Sequence, residues 1–376
     1  MIPERLRPLV EETAEIGARF ERAGYRLYLV GGVVRDAVLG RLADSHDLDF
    51  TTNARPGEIE RIVSGWADAV WTQGKRFGTI GIRKGGRQME ITTHRAEAYH
   101  PDSRKPDVAF ADRIEADLSR RDFTVNAMAL ALPDLTLVDP FDGIADLAAH
   151  RLRTPLAPEE SFTDDPLRML RAARFLAGYR LVPEPELIEA VTRLRTRLDI
   201  VSNERIRDEL DKLLVVEQPG DGLWFCVTTG LADEFLPELP ALAVEQDPIH
   251  RHKDVLAHTI AVVERCHPNR ILRLAALFHD VGKPKTRSFG PGGTVSFHHH
   301  EVVGARMTRD RMRELRYSTD DIEQVSRLVE LHLRFHTYAM GWTDSAVRRY
   351  VRDAGPLLDL LNELTRADCT TRNAAK

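Results

Sequence analysis

The spacing of apolar residues changes once along this chain, near residue 140, and that change limits the folds open to it. Before that point helical patterns alternate with short β-branched and apolar runs: YRLYLV at 25–30, DLDFTT at 47–52, GTIGIR at 78–83, RQMEITT at 87–93 and LTLVD at 135–139. Runs of this length and composition make strands, so the first part reads as a helix-flanked sheet. Beyond it apolar residues recur every three or four positions, punctuated by proline and glycine at 155–158, 183–185, 219–222 and 290–293, and the remainder reads as helical. A second break, LPELPALAVEQDPIH at 236–250, precedes a histidine-rich region. Three segments are expected: 1–150, 151–245 and 246–376.

At 376 residues the chain exceeds one ordinary domain, and no apolar run approaches the 18 or so residues of a membrane span. The first twenty residues are too charged for a secretory signal, so a cytoplasmic protein is expected. Three cysteines without a C-x-x-C pair argue against a disulfide framework and against a zinc-thiolate site. Of the 53 basic residues 45 are arginine, but the net charge of −5 gives no global field for nucleic acid, so the placement of the arginines must decide their role.

Leu29-Val30-Gly31-Gly32-Val33-Val34-Arg35-Asp36 reads as a strand ending in two glycines and opening a short helix. Backbone N–H groups can approach a phosphate closely at such a turn, although an ordinary turn has the same sequence. Asp47 and Asp49 lie in a strand pattern, where alternation sends both to one side and Leu48 and Phe50 to the other. Converging carboxylates repel unless a cation lies between them, and oxygen ligands facing one way suit Mg²⁺ that also binds substrate phosphates. Glu90, in the later strand MEITT, is a candidate third carboxylate.

With these residues in view, GGVVRDAVLG followed by HDLDF resembles the signature of the bacterial class II tRNA nucleotidyltransferases and their poly(A) polymerase relatives. Four further motifs follow in order. RRDFTVNAM at 120–128 is similar to the second, implying that Arg121 and Asp122 bind nucleotide, beside Gly31, Gly32 and Arg35. DPFDG at 139–143, with Asp146-Leu147, resembles a hinge between head and neck. DDPLR at 164–168 is similar to the fourth motif, usually E-D-x-x-R, and SNERI at 202–206 to the fifth. The resemblance implies that Asp165 and Arg168 select CTP and then ATP, with Arg171 and Arg174 assisting; Asp164 in place of the usual glutamate keeps carboxylate character. The three arginines recur every third residue along one side of a helix, where a planar fork suits a base edge. Gly74-Lys75-Arg76-Phe77 resembles both the CCA-adding group and the poly(A) polymerases, its continuation Gly78-Thr79-Ile80 resembles the CCA-adding group more, and the polar stretch between Thr92 and Arg120 reads as a mobile loop similar to the one needed for the final adenine, or as an ordinary connector.

The spacing of the histidine-rich region points its ligands inward. His258 lies three residues after Val255, His279 four after Ala275, His332 three after Val329 and Asp368 four after Leu364, so all point towards a core, and Asp280 follows His279 directly. Several inward histidines and aspartates are costly to bury without a metal or hydrogen bonds. The H…HD…D order with HDVGKP at 279–284 resembles the HD phosphohydrolases, which implies a divalent metal on His258, His279, Asp280 and Asp368, with His300 and His332 for a second.

The expected architecture is an α/β nucleotidyltransferase head with a small mixed sheet, an all-helical neck that selects nucleotide and binds RNA, and a helical HD domain. The implied activity is Mg²⁺-dependent addition of CCA to tRNA from CTP and ATP, with Asp47, Asp49 and Glu90 catalytic and no membrane partner. The rivals are a poly(A) polymerase and an HD-type metal-dependent phosphohydrolase. More helix is expected beyond Asp368 than the eight residues that follow it.

Overall fold

The computed structural model describes residues 7–42, 47–95, 110–244, 254–290, 294–335, 338 and 341–369. They fall into two compact units: 1–165 with 182–187, and 166–181 with 188–376.

The first unit runs α1 (Arg7–Arg22), β1 (Leu27–Val30), α2 (Gly32–Val38), β2 (Leu48–Thr52), α3 (Pro56–Val63), β3 (Ala69–Trp71), β4 (Thr79–Lys84), β5 (Arg87–Thr93), α4 (Ile114–Ser119), β6 (Ala129–Leu132), β7 (Thr136–Val138), α5 (Gly143–Ala148), β8 (Arg151–Leu152) and α6 (Pro158–Asp164). Its seven-stranded sheet has the order β3-β4-β5-β2-β1-β6-β7, antiparallel at every pair except β2 with β5. β1 is central and buried at all four residues, which explains its unbroken apolar sequence. In β2 alternation sends Leu48 and Phe50 into the core while Asp49 opens to solvent.

Five of the seven strands match runs visible in the sequence. β3 is a three-residue edge strand too short to show a period, and β6 is ALAL, whose alanines carry little strand preference. The stretch between Thr92 and Arg120 is not one loop. Its end folds as α4, because Ile114 and Leu118, four apart, pack with Tyr28, Val30, Ala127 and Ala129; residues 96–109 lie outside the described residues. The hinge-like motif forms a rigid brace. Asp139 accepts from the Gly143 and Ile144 N–H groups at the start of α5, and the fully buried Asp146 accepts from Thr124 Oγ1 and Arg153 Nε, both at 2.6 Å.

The second unit begins with α7 (Leu167–Tyr179); the chain then returns to the first unit, where β9 (Val182–Pro183) pairs with β8, and α8 (Pro185–Leu194) runs across the division in sequence. It continues through α9 (Asn203–Leu214), α10 (Gly220–Thr228), α11 (Ala232–Phe235), α12 (Val255–Arg265), α13 (Arg270–Phe278), α14 (Lys283–Thr286), α15 (His300–Glu314), α16 (Thr319–Leu331), α17 (Asp344–Ala354) and α18 (Leu358–Asp368). A hairpin of β10 (Arg287–Phe289) and β11 (Val295–Phe297) interrupts this helical region. Side chains cap the helices where sequence supplies them: Asp254 for α12, Asn269 for α13, Ser318 for α16 and Thr343 for α17. Arg273 of α13, 1% exposed, donates to Leu214 O at 2.5 Å, to Val216 O and Glu217 O at the end of α9, and to Cys266 O. No described helix is long and apolar enough to cross a membrane.

Candidate active site and metal centre

In the first unit the parallel pairing of β2 and β5 sets Asp49 in register with Glu90, and Asp47 stands two residues before Asp49, just outside β2. These strands open on a cavity of about 370 Å³ lined by Asp49, Thr51, Thr79, Glu90, Thr92, Arg95, Asp117, Arg120 and Arg121, among others. Desolvation by the cavity walls raises the Asp49 carboxyl above the usual range; Glu90 and Asp47 raise it further, and Arg121 opposes them. A site that crowds like charge in this way and offers only oxygen donors fits a hard divalent cation.

Gly31 follows β1 with φ +82°, and a Cβ there would lie 3.6 Å from Arg121 Nη1 and 3.7 Å from Asp49 Oδ2, so the glycine both permits the turn and leaves the cavity open. Behind it Arg35 donates to Asn126 Oδ1 (2.6 Å) and pairs with Asp36, while Asn126 donates to Asp122 Oδ1 (2.9 Å). Arg35 and Asp122 are thereby tied into one network through Asn126, and Gly32 lies against it, since a Cβ there would meet Arg35 Nη2 at 3.3 Å.

Asp165 ends the first unit's chain run and Arg168, 8% exposed, opens the second on α7. One helical turn apart on the same helix, Arg171 and Arg174 face a carboxylate that sequence reasoning missed. Glu209 of α9, 3% exposed, accepts from Arg174 Nε at 2.7 Å and lies 3.8 Å from Arg171 Nη1. Glu209→Ala should cost about 2 kcal/mol, because it strands a desolvated guanidinium; urea denaturation would read the drop. An unchanged midpoint would show that this pair is not structural.

The second unit gathers the histidines. His258, His279 and Asp280 form one compact ligand set and Asp280, His300 and His332 a second, sharing Asp280. Asp368 Oδ1 lies 2.9 Å from His258 Nε2 and 3.6 Å from His279 Nε2, while Asp280 is 3.2 Å from His279 Nε2 and 3.3 Å from His300 Nε2. His279, His300 and His332 each donate Nδ1–H to a backbone carbonyl three residues earlier, Ala276, Phe297 and Val329. That fixes the tautomer and leaves three buried Nε2 atoms without a hydrogen bond of good geometry. Such orphaned acceptors aimed at shared carboxylates fit metal ions.

The charges of these groups are strongly coupled. Burial pulls His279 down, but Asp280 and Asp368 together reverse it, and the imidazole is raised to about 10; burial and the neighbouring His279 take His332 down to about 3. Burial alone would raise Asp280, yet His279 and the Lys283 ammonium, 2.7 Å away, hold it well below the carboxylate range. The glycine of HDVGKP has a packing reason: a Cβ on Gly282 would sit 2.1 Å from His300 O and 2.8 Å from Gly304 N. Gly282→Ala therefore should push α15 away and cost about 1–3 kcal/mol, read as a lowered thermal midpoint; a wild-type midpoint would mean that α15 yields without strain.

Comparison with known families adds to this geometry. Residues 27–153 match the Poly A polymerase head domain, 181–242 the probable RNA and SrmB-binding site of polymerase A, and 255–373 the HD domain. The three matches lie in that order along the chain, and none of them alone spans half of it. It is 42% identical over 212 residues to the CCA-adding enzyme of Levilactobacillus brevis, a match covering 56% of this chain and 52% of that protein. It is 40% identical over 230 residues to the CCA-adding enzyme of Streptococcus suis, covering 61% and 55%. The matched region spans about half the length of these curated relatives. Its fold resembles the Bacillus stearothermophilus CCA-adding enzyme solved in complex with CTP, with a TM-score of 0.70 at 22% identity over 98% of this chain and 80% of that one. A tRNA-processing enzyme in apo form gives 0.65 at 22% identity, covering 98% and 91%.

Proposed function

We propose that this chain is a CCA-adding tRNA nucleotidyltransferase, adding CMP, CMP and AMP from CTP and ATP to tRNA 3′ ends without a template. The observation that carries this reading is the in-register pair Asp49 and Glu90 lining one cavity together with Arg121. The RNA 3′-oxygen would attack the α-phosphorus and pyrophosphate would leave. Asp47 and Asp49 would hold Mg²⁺, which supplies activation of that hydroxyl and neutralisation of the leaving group. Glu90 would add negative charge beside Asp49, Gly31 and Gly32 would let the backbone approach the phosphates, and Arg121, which lines the same cavity, would meet the triphosphate charge. Arg35 and Asp122, linked through Asn126, would support the nucleotide from behind, and Asp165 with Arg168, Arg171 and Arg174 would select the base.

We assign 1–150 to the head, 151–245 to the neck and 246–376 to the HD domain of a cytoplasmic enzyme. The two ligand sets on Asp280 support a second reading for the HD domain, metal-dependent phosphoester hydrolysis, with His258, His279, Asp280 and Asp368 at one ion and His300 and His332 at another.

The test is incubation of tRNA lacking its CCA end with Mg²⁺ and CTP, ATP or both, resolving products at single-nucleotide steps. Two additions with CTP and a third once ATP is present support CCA addition. A ladder with ATP alone would replace it with poly(A) synthesis, and hydrolysis of phosphoesters without extension would leave only the HD chemistry.

A further inference from the structure

We infer that Asp117 is a positioning residue for nucleotide binding: its carboxylate holds the Arg121 guanidinium in the direction from which it meets the triphosphate. This rests on the transferase reading above and adds to it a residue outside the recognised motifs.

Asp117 lies on α4, inside the stretch that the sequence presents as loop, and is only 7% exposed although it borders the cavity. Its two oxygens are used differently. Oδ2 pairs with Arg121 Nη2 at 3.2 Å, one helical turn on, and Oδ1 accepts from the Arg95 backbone N–H at 3.3 Å. The helix that carries it is anchored by Ile114 and Leu118 in the core under β1 and β6, so the carboxylate cannot follow Arg121 if the arginine swings. Arg121 is thereby fixed by one nitrogen, while Nη1 remains nearest to Gly31 and lies on the Asp49 side of the cavity. Arginine has about 2 kcal/mol of side-chain rotamer entropy, and a buried carboxylate that removes it before the ligand arrives strengthens binding of an anion.

Mg²⁺–CTP binding by calorimetry and single-step CMP transfer to tRNA would be measured on the full chain with Asp117→Asn, Asp117→Glu, Arg121→Ala and the double variant Asp117→Asn/Arg121→Ala. Asp117→Asn is expected to weaken CTP binding and raise its KM about tenfold with kcat within twofold, and Asp117→Glu to recover part of the loss. In the Arg121→Ala background Asp117→Asn should add nothing further. An additive effect there, or unchanged CTP affinity in a folded Asp117→Asn, would overturn the inference. Wild-type protein that binds CTP but does not extend tRNA would sink the transferase reading while leaving the binding comparison to decide the role of Asp117; absence of CTP binding by wild type would overturn both.

Discussion

Asp49→Ala will lower nucleotide transfer to tRNA by at least about 1,000-fold and leave the protein folded. Loss of a single preorganised donor to a developing charge costs about 100- to 1,000-fold in other enzymes, and Asp49 is proposed to hold the ion itself. The fold should tolerate the change because Asp49 is at odds with its surroundings: desolvation, Glu90 and Asp47 all raise its pKa. The sign follows. A carboxyl whose folded pKa is raised favours the native state below its unfolded value and loses that contribution as pH rises through the folded value. Without a cation, alanine should therefore flatten the decline in stability above the ordinary carboxylate range. Primer extension and urea denaturation on the same preparation check both halves, and transfer within tenfold of wild type would remove Asp49 from the reaction.

Asp280→Asn should do the converse: strip metal from the second unit while nucleotide transfer continues. Outer partners of metal ligands already cost 10- to 100-fold in affinity, and Asp280 is itself common to both ligand sets, so at least a 100-fold loss is expected. Asparagine keeps the shape and one hydrogen-bond acceptor for the Lys283 ammonium while removing its counter-charge. Metal content after dialysis, measured by mass spectrometry against Asp49→Ala and wild type, reads the effect. Full retention of metal by Asp280→Asn would refute the shared-ligand arrangement, and loss of transfer along with the metal would refute the independence of the two centres.

The histidines were legible because helical spacing alone turns His258, His279 and His332 inward, and the alternation of β2 likewise separates Asp49 from Phe50. Glu90 was a different matter. Its place beside Asp49 depends on β2 and β5 pairing in parallel across intervening strands, a register that no local pattern encodes. Asp117 and Glu209 were missed for related reasons. Asp117 sits in a six-residue helix whose two apolar anchors are lost among charges, and Glu209 looks like any solvent-facing residue until α7 packs against α9. The head fold was read from its long strands, and the strands it concealed are those too short or too alanine-rich to show a period.

Arg273 bears on why these modules travel together. Its guanidinium closes the end of α9 from within the helix that leads to His279, so a chain cut between the neck and the HD helices would leave main-chain oxygens of Leu214, Val216 and Glu217 facing an apolar scar. The helices that bear the histidines therefore act as a plug for the end of α9, a structural duty that they keep whether or not the histidines hold a metal.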